Sequence, residues 1–399
     1  MKSIISKIEK KRVIHSFKVG LCLVLVSLLY TVDPIFRHVG ENAIWAIMTV
    51  IVVFEFYAGA TLGKGINRGI GTMVGGGIGC LVAILVDKIG GNGSMGKPIA
   101  IGISVFIFGL GATYCRLAPS MKKRYDYGFM IAILTFNLVV VPDAQDDSGK
   151  VVEVALDRLA TIGMGFAVCI LVSLFVFPMW AGDELHCSTA TKFRKLADAI
   201  RGCTDEYMRV GNEKNKKESS KSSDYMQDCN FLLNSKSSDD SLANFAKWEP
   251  NWHGKFGKYY PLEKYLQIGD HLRHLAAIIL ALDHCLHSPK QVVAKQRRET
   301  LKETSENFSM CIGFILKEFG EGSERMDMSQ ISPLFINPKL QSLKVQISST
   351  LNDYGNHDHH LATLNFLFLE IVDLVEELAK FLQELGQESH CKKTNIDHV

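Results

Sequence analysis

The 399-residue chain carries ten cysteines without a single C-x-x-C pair, so neither a zinc site nor a disulfide framework is indicated. Its net charge of +2 gives no support for nucleic-acid binding. No P-loop, G-x-S-x-G elbow or dinucleotide fingerprint occurs. The glycine cluster Gly75-Gly-Gly-Ile-Gly79 lies inside an apolar run, where it cannot cradle phosphate. His357-Asp-His-His360 reads as a solvated turn rather than a metal site, so no metal or cofactor is expected. Strand alternation is scarce after Trp180. Nothing in the chain forms a catalytic constellation, and an enzyme is not expected.

What the chain does have is six apolar stretches in its first 180 residues: Val19–Val32, Ile44–Leu62, Gly69–Val86, Pro98–Cys115, Tyr127–Val141 and Leu159–Met179. A helix needs about 20 apolar residues to cross the hydrocarbon of a bilayer; three of these are comfortable and three short. The intervening loops are sorted by charge. Lys2, Lys7, Lys10, Lys11, Arg12 and Lys18 precede the first stretch, and Lys64, Arg68, Arg116, Lys122, Lys123 and Arg124 fall in loops on the same side. Asp143, Asp146, Asp147, Glu153 and Asp157 collect on the other. The positive-inside rule then places both termini in the cytosol. The fold expected is an all-α membrane protein, six transmembrane helices followed by a cytosolic helical bundle domain. Its parts are a basic cytosolic N-terminus (1–18), a pore domain (19–180), a cytosolic domain (181–386) with a flexible polar loop at 211–244, and a polar C-terminal tail (387–399).

Helical spacing recurs in the polar half. Phe193, Leu196, Ala197 and Ile200 share one face, as do Leu262, Tyr265, Leu266, Leu272, Leu275 and Ile279. Ser288-Pro289 has the form of a helix start, opening a segment with Leu301, Phe308, Ile312, Ile315 and Phe319. Leu340, Leu343, Ile347 and Leu351 mark a shorter helix. Leu361 to Leu385 mark a long one that Gly386 should cap.

Three features of the apolar half bear on function. Gly71, Gly75 and Gly79 lie on one helix face and permit close helix approach. That seam, with the long apolar face of the last helix, is also a motive for a dimer. Glu55 sits in an apolar run, Val52-Val-Phe-Glu-Phe-Tyr57, and calls for a cation, in a structural or gating role. Cations gather at stretch ends. The positive-inside rule accounts for Lys122, Lys123 and Arg124 but not for Arg158, on the acidic side. Arginine in an anion path is one reason for it, since rings of Arg or Lys are how pores select anions. Pairing with Asp157 or Glu153 is the other.

Several runs resemble the plant aluminium-activated malate transporter family of anion channels. They are Trp45-Ala-Ile-Met-Thr-Val-Ile-Val-Val-Phe-Glu-Phe56, Gly59-Ala-Thr-Leu-Gly-Lys-Gly-Ile-Asn-Arg-Gly69, Lys123-Arg-Tyr-Asp-Tyr-Gly-Phe-Met-Ile131, Arg158-Leu-Ala-Thr-Ile-Gly163 and Phe245-Ala-Lys-Trp-Glu-Pro250. The resemblance implies a homodimer in the lipid bilayer, six membrane helices per subunit, and a pore at the dimer axis passing malate and small inorganic anions. Arg68 and Arg158 match its pore arginines, with Lys64 and Arg116 near them. Glu55, Trp248, Glu249 and Pro250 fall in motifs given gating or structural roles. An outer cation site would draw on Asp146, Asp147, Glu153 and Asp157, but Arg37 in the first outer loop would repel a trivalent metal, so aluminium activation is not expected. Met208 after Asp205-Glu-Tyr207 departs from the aromatic residue linked to γ-aminobutyrate control. The plasma membrane is favoured over the vacuolar membrane on the short N-terminus. The competing readings are a coupled organic-acid exporter, which would need an occluded site and a coupling ion, and a membrane-anchored helical scaffold.

Overall fold

The computed structural model describes residues 2–32, 43–89, 96–141, 151–210, 222–250, 252, 262–286, 295–325, 333–352 and 359–394. Every regular element among them is an α-helix. The chain divides into two compact units: Met1–Trp180 with Lys247–Glu249, and Ala181–Ala246 with Pro250–Val399.

The first unit contains α1 (Lys2–Val32), α2 (Ala43–Val53), α3 (Ala58–Ile89), α4 (Gly96–Leu117), α5 (Pro119–Val140) and α6 (Val151–Phe175). By length and composition, Ala58–Val86 of α3 and all of α4 can cross a bilayer. α4 buries no residue within the chain. A helix that is apolar yet uncovered needs lipid or another protein around it rather than water.

The second apolar stretch does not continue to Leu62 as the sequence suggested. α2 has 11 residues, about 16 Å of rise, and the chain breaks at Phe54–Tyr57 before α3 begins. Lys64 and Arg68, expected in a loop, therefore lie within α3. The break is tolerated because its polar backbone is met locally. The Glu55 N–H donates to Thr61 Oγ1 at 3.0 Å, and that hydroxyl lies 3.3 Å from the carbonyls of both Glu55 and Tyr57. The Ala58 N–H donates to the Met179 carbonyl at 2.9 Å. A break between apolar helices persists only where its backbone groups find such partners.

The glycine seam packs α3 against α5 of the same chain. A Cβ at Gly71 would stand 2.4 Å from the Gly128 carbonyl oxygen, and one at Gly75 would stand 2.2 Å from that of Ala132. At Gly79 the neighbour is Val139, at 3.0 Å. The residue numbers rise together, so α3 and α5 run parallel. The seam is thus occupied within the chain and no longer argues for a dimer.

The second unit contains α7 (Ala181–Val210), α8 (Ser222–Leu233), α9 (Lys236–Ala246), α10 (Leu262–Leu286), α11 (Lys295–Arg325), α12 (Pro333–Asn352) and α13 (His359–Thr394). Its core includes Phe193 edge-on to Phe319 (5.8 Å between centroids) and Phe308 edge-on to Phe368 (4.5 Å). Two expectations need correction. From Ser222 the supposed loop 211–244 is helical, because Tyr225, Cys229 and Leu232 recur on one face and are buried; 211–221 lie outside the described residues. Gly386 does not end the last helix, which runs to Thr394, so the tail expected from 387 is helical over most of its length. A helical glycine costs only about 1 kcal/mol. Ser288-Pro289 and His357-Asp358 lie outside the described residues.

The second unit also holds an ion cluster that no helical pattern announces. Lys192 Nζ lies 2.6 Å from Asp239 Oδ1, Arg273 Nη1 lies 2.9 Å from Asp239 Oδ2, and Ser235 Oγ donates to the same oxygen at 3.4 Å. Lys192 and Asp239 are buried. Burial pushes the Lys192 ammonium below its ordinary pKa, and the Asp239 carboxylate acts in the opposite direction. Asp239→Ala strands the buried Lys192 and leaves Arg273 only Asp270, so it should destabilise the second unit by about 3–5 kcal/mol in chemical denaturation. Gly75→Ala should destabilise the first by about 1–3 kcal/mol through overpacking. Gly77→Ala, where a Cβ meets open space, should instead raise stability slightly, by up to about 1 kcal/mol, read as thermal unfolding in detergent.

Candidate functional site

The first turns of α3 and α5 bring most of the singled-out residues together. Glu55, at the chain break, forms an ion pair with Lys64 two turns into α3. Both side chains are half-exposed, at 34% and 40%. The carboxylate that called for a cation thus finds it nine residues along the chain. On the next turn, Arg68 is buried at 5% exposure. Its Nη1 donates to the Tyr127 hydroxyl of α5 at 3.3 Å, and its Nε has no hydrogen-bond partner among the described residues. No acid pairs with it there. The neighbouring Asn67 donates from Nδ2 to the Arg124 carbonyl at 2.9 Å, which pins the start of α5 to α3.

Arg116, in the last turn of α4, is neutralised. Its Nε lies 2.7 Å from Asp126 Oδ1 and its Nη2 3.3 Å from Oδ2, a two-point grip across the α4–α5 turn. Arg124 is different. It is exposed, has no acid partner among the described residues, and lies 4.8 Å from the ring of Trp248 and 5.6 Å from that of Tyr125. Trp248 belongs to the returning segment Lys247–Glu249 and rests against Gly63 of α3, where a Cβ would stand 2.9 Å from the indole.

The side chain of Arg158 lies outside the described residues; its backbone is in α6. Leu156 and Leu159 beside it line an apolar cavity of about 320 Å³ with Trp45, Thr72, Gly76 and Thr135. Gly65 packs on Phe166, and the cavity joins Thr72–Cys80 to Leu156–Ile162, so α6 runs antiparallel to α3. Arg158 then stands on the order of 10 Å along the axis from Arg68. Of the four acids proposed for an outer cation site, Asp146 and Asp147 lie outside the described residues, as does the side chain of Glu153. Asp157 is half-buried in α6. No cluster of three metal-ligating side chains occurs among the described residues.

Two placements escaped sequence reasoning. Lys18, assigned to a cytosolic terminus, is buried at 1% exposure. Its Nζ lies 3.4 Å from the Ser173 carbonyl and 3.5 Å from that of Phe177, just past the end of α6. Phe177 has a φ of 44°, a conformation costly for an aromatic residue. The other is the contact of Trp248 with Arg124. The available signal was a tryptophan in a polar run without helical period, which has no face of its own helix to bury.

Residues 4–359 match the family described as aluminium activated malate transporter. The chain belongs to this family. It is 39% identical over 353 residues to aluminum-activated malate transporter 13 of Arabidopsis thaliana, covering 87% of the chain and 63% of that protein. It is 43% identical over 288 residues to transporter 12 of the same plant, covering 72% and 50%. With transporter 2 it shares 36% identity over 393 residues, covering 97% and 77%. The chain thus spans half to under two thirds of the length of the first two relatives. The family's members are transporters rather than enzymes. For the Phe54-Glu-Phe56 run, the geometry predicts that Glu55→Lys lowers the yield of monodisperse protein. The exchange Glu55→Lys with Lys64→Glu should restore it, because the charges are simply reversed across the same contact. Size-exclusion profiles in detergent read both.

Proposed function

We propose that the chain is an anion channel passing malate and other small anions, with six membrane spans per subunit, both termini cytosolic, and a pore at a homodimer axis. Arg68 carries this reading. A guanidinium at 5% exposure whose neighbour is a phenol, with no carboxylate on it among the described residues, is costly unless a counter-charge reaches it. A passing anion supplies one. Lys64 and Arg116, also proposed for the path, carry acid partners and contribute less field. Arg158 is proposed as a second station beside the cavity, and malate as substrate rests on the relatives' names. Dimerisation is supported by the uncovered apolar surface of α4 and by exposed Met310, Phe314, Val345 and Phe366 in the second unit. The plasma membrane remains the proposed location.

Oocyte recording with internal malate tests the proposal. Wild-type current should reverse at the anion equilibrium potential whatever the pH or sodium, as a passive path requires and a coupled carrier does not. Arg68→Gln at matched surface abundance should cut malate current at least about tenfold, the worth of one charged hydrogen bond. Arg68→Lys keeps the charge without the planar fork and should spare smaller anions more than malate. Lys122→Gln, at an exposed position, is the control. Unchanged conductance in Arg68→Gln would sink the assignment.

A further inference from the structure

We infer that Trp248 is a positioning residue for Arg124, holding its guanidinium by the face so that its edge is free to take a carboxylate on the approach to Arg68. The inference rests on the anion-channel reading above and adds to it the part that sorts a dicarboxylate from chloride. The contrast between two arginines motivates it. Arg116 spends its edge on both oxygens of Asp126, so its N–H fork is occupied. Arg124 has no acid partner among the described residues, and its guanidinium carbon lies 4.8 Å from the centre of the indole ring. A cation above an aromatic face is stabilised without any of its N–H donors being consumed. An arginine fork left open in this way matches the two oxygens of a carboxylate and has no such match to a spherical halide.

The surroundings are built for this contact. Gly63 leaves room for the ring: a Cβ would stand 2.9, 3.0 and 3.1 Å from indole Cδ1, Nε1 and Cγ. Asn67 fixes the Arg124 backbone through its carbonyl, and Arg68, one residue on, reaches Tyr127 three residues beyond Arg124. Arg124 and Arg68 are therefore tied together through the adjacent α3 residues Asn67 and Arg68. The ring arrives on a segment, Lys247–Glu249, that belongs to the first unit although the chain on both sides of it belongs to the second.

Malate and chloride on opposite sides of the oocyte membrane give a permeability ratio that is independent of how much protein is present. Trp248→Leu should lower the malate-to-chloride ratio about threefold, within the range of an exposed cation–π contact. Trp248→Phe, which retains an aromatic face, should recover most of it. Arg124→Gln should produce the same loss, and the double variant no further loss. A ratio unchanged in Trp248→Leu, or losses that add in the double variant, would overturn the inference. If Trp248→Leu does not reach the surface, Gly63→Ala carries the same test, since its Cβ displaces the ring while leaving it in the chain. Hydrogen exchange of Lys247–Glu249 in purified full-length protein reads the contact without transport. It should quicken about threefold in Arg124→Gln, and unchanged exchange would refute the stack. A wild-type chain that carries no anion current would refute the channel reading, and the exchange result would still decide whether Trp248 holds Arg124.

Discussion

The close approach of α3 to α5 is the constraint on which the site depends. With carbonyl oxygens of α5 standing where Cβ atoms of Gly71 and Gly75 would be, no larger residue fits without separating the helices. That separation governs the polar contacts one or two turns away. Asn67 reaches the Arg124 carbonyl and Arg68 reaches Tyr127 because the two backbones are already held at small-residue distance. The seam is itself apolar, yet it fixes the spacing of Arg68 and Arg124. Small residues at membrane-helix contacts act in this way when no hydrophobic force draws the helices together.

Charge compensation then divides the cations into two sets. Lys64 and Arg116 have carboxylates in contact, and Lys18 has carbonyls in and just past the last turn of α6. Arg68 and Arg124 have an aromatic hydroxyl and an aromatic face instead. An aromatic partner orients a guanidinium without cancelling its field. A carboxylate does both.

Much of this was legible in the chain. The apolar stretches, the helical faces of the second half and the packing role of Gly71, Gly75 and Gly79 follow from periodicity and side-chain size. The break at Phe54–Tyr57 was not legible, because Val52 to Leu62 is apolar on average and the hydroxyl that makes a break tolerable, on Thr61, reads as an ordinary helix residue. The helices from Ser222 to Ala246 were hidden by a polar composition in which Lys236, Ser237, Ser238 and Ser241 are exposed while Cys229 and Leu232 are buried. Nor could sequence decide which cations are neutralised: Arg116 and Arg124 flank the same short turn, and only the fold gives Asp126 to one and Trp248 to the other.

The parallel course of α3 and α5 has an electrical consequence. Antiparallel neighbours cancel their peptide dipoles, whereas parallel neighbours add them, placing about half a positive charge at each N-terminal end. Side by side, such dipoles repel, and the tight contact along the glycines is what holds them together against that repulsion. The two ends point the same way, with Arg124 on the second turn of one helix and Arg68 further along the other. Backbone amides of both helices contribute positive partial charge at that end that no change of pH can titrate away, offset in part by the C-terminal end of the antiparallel α6.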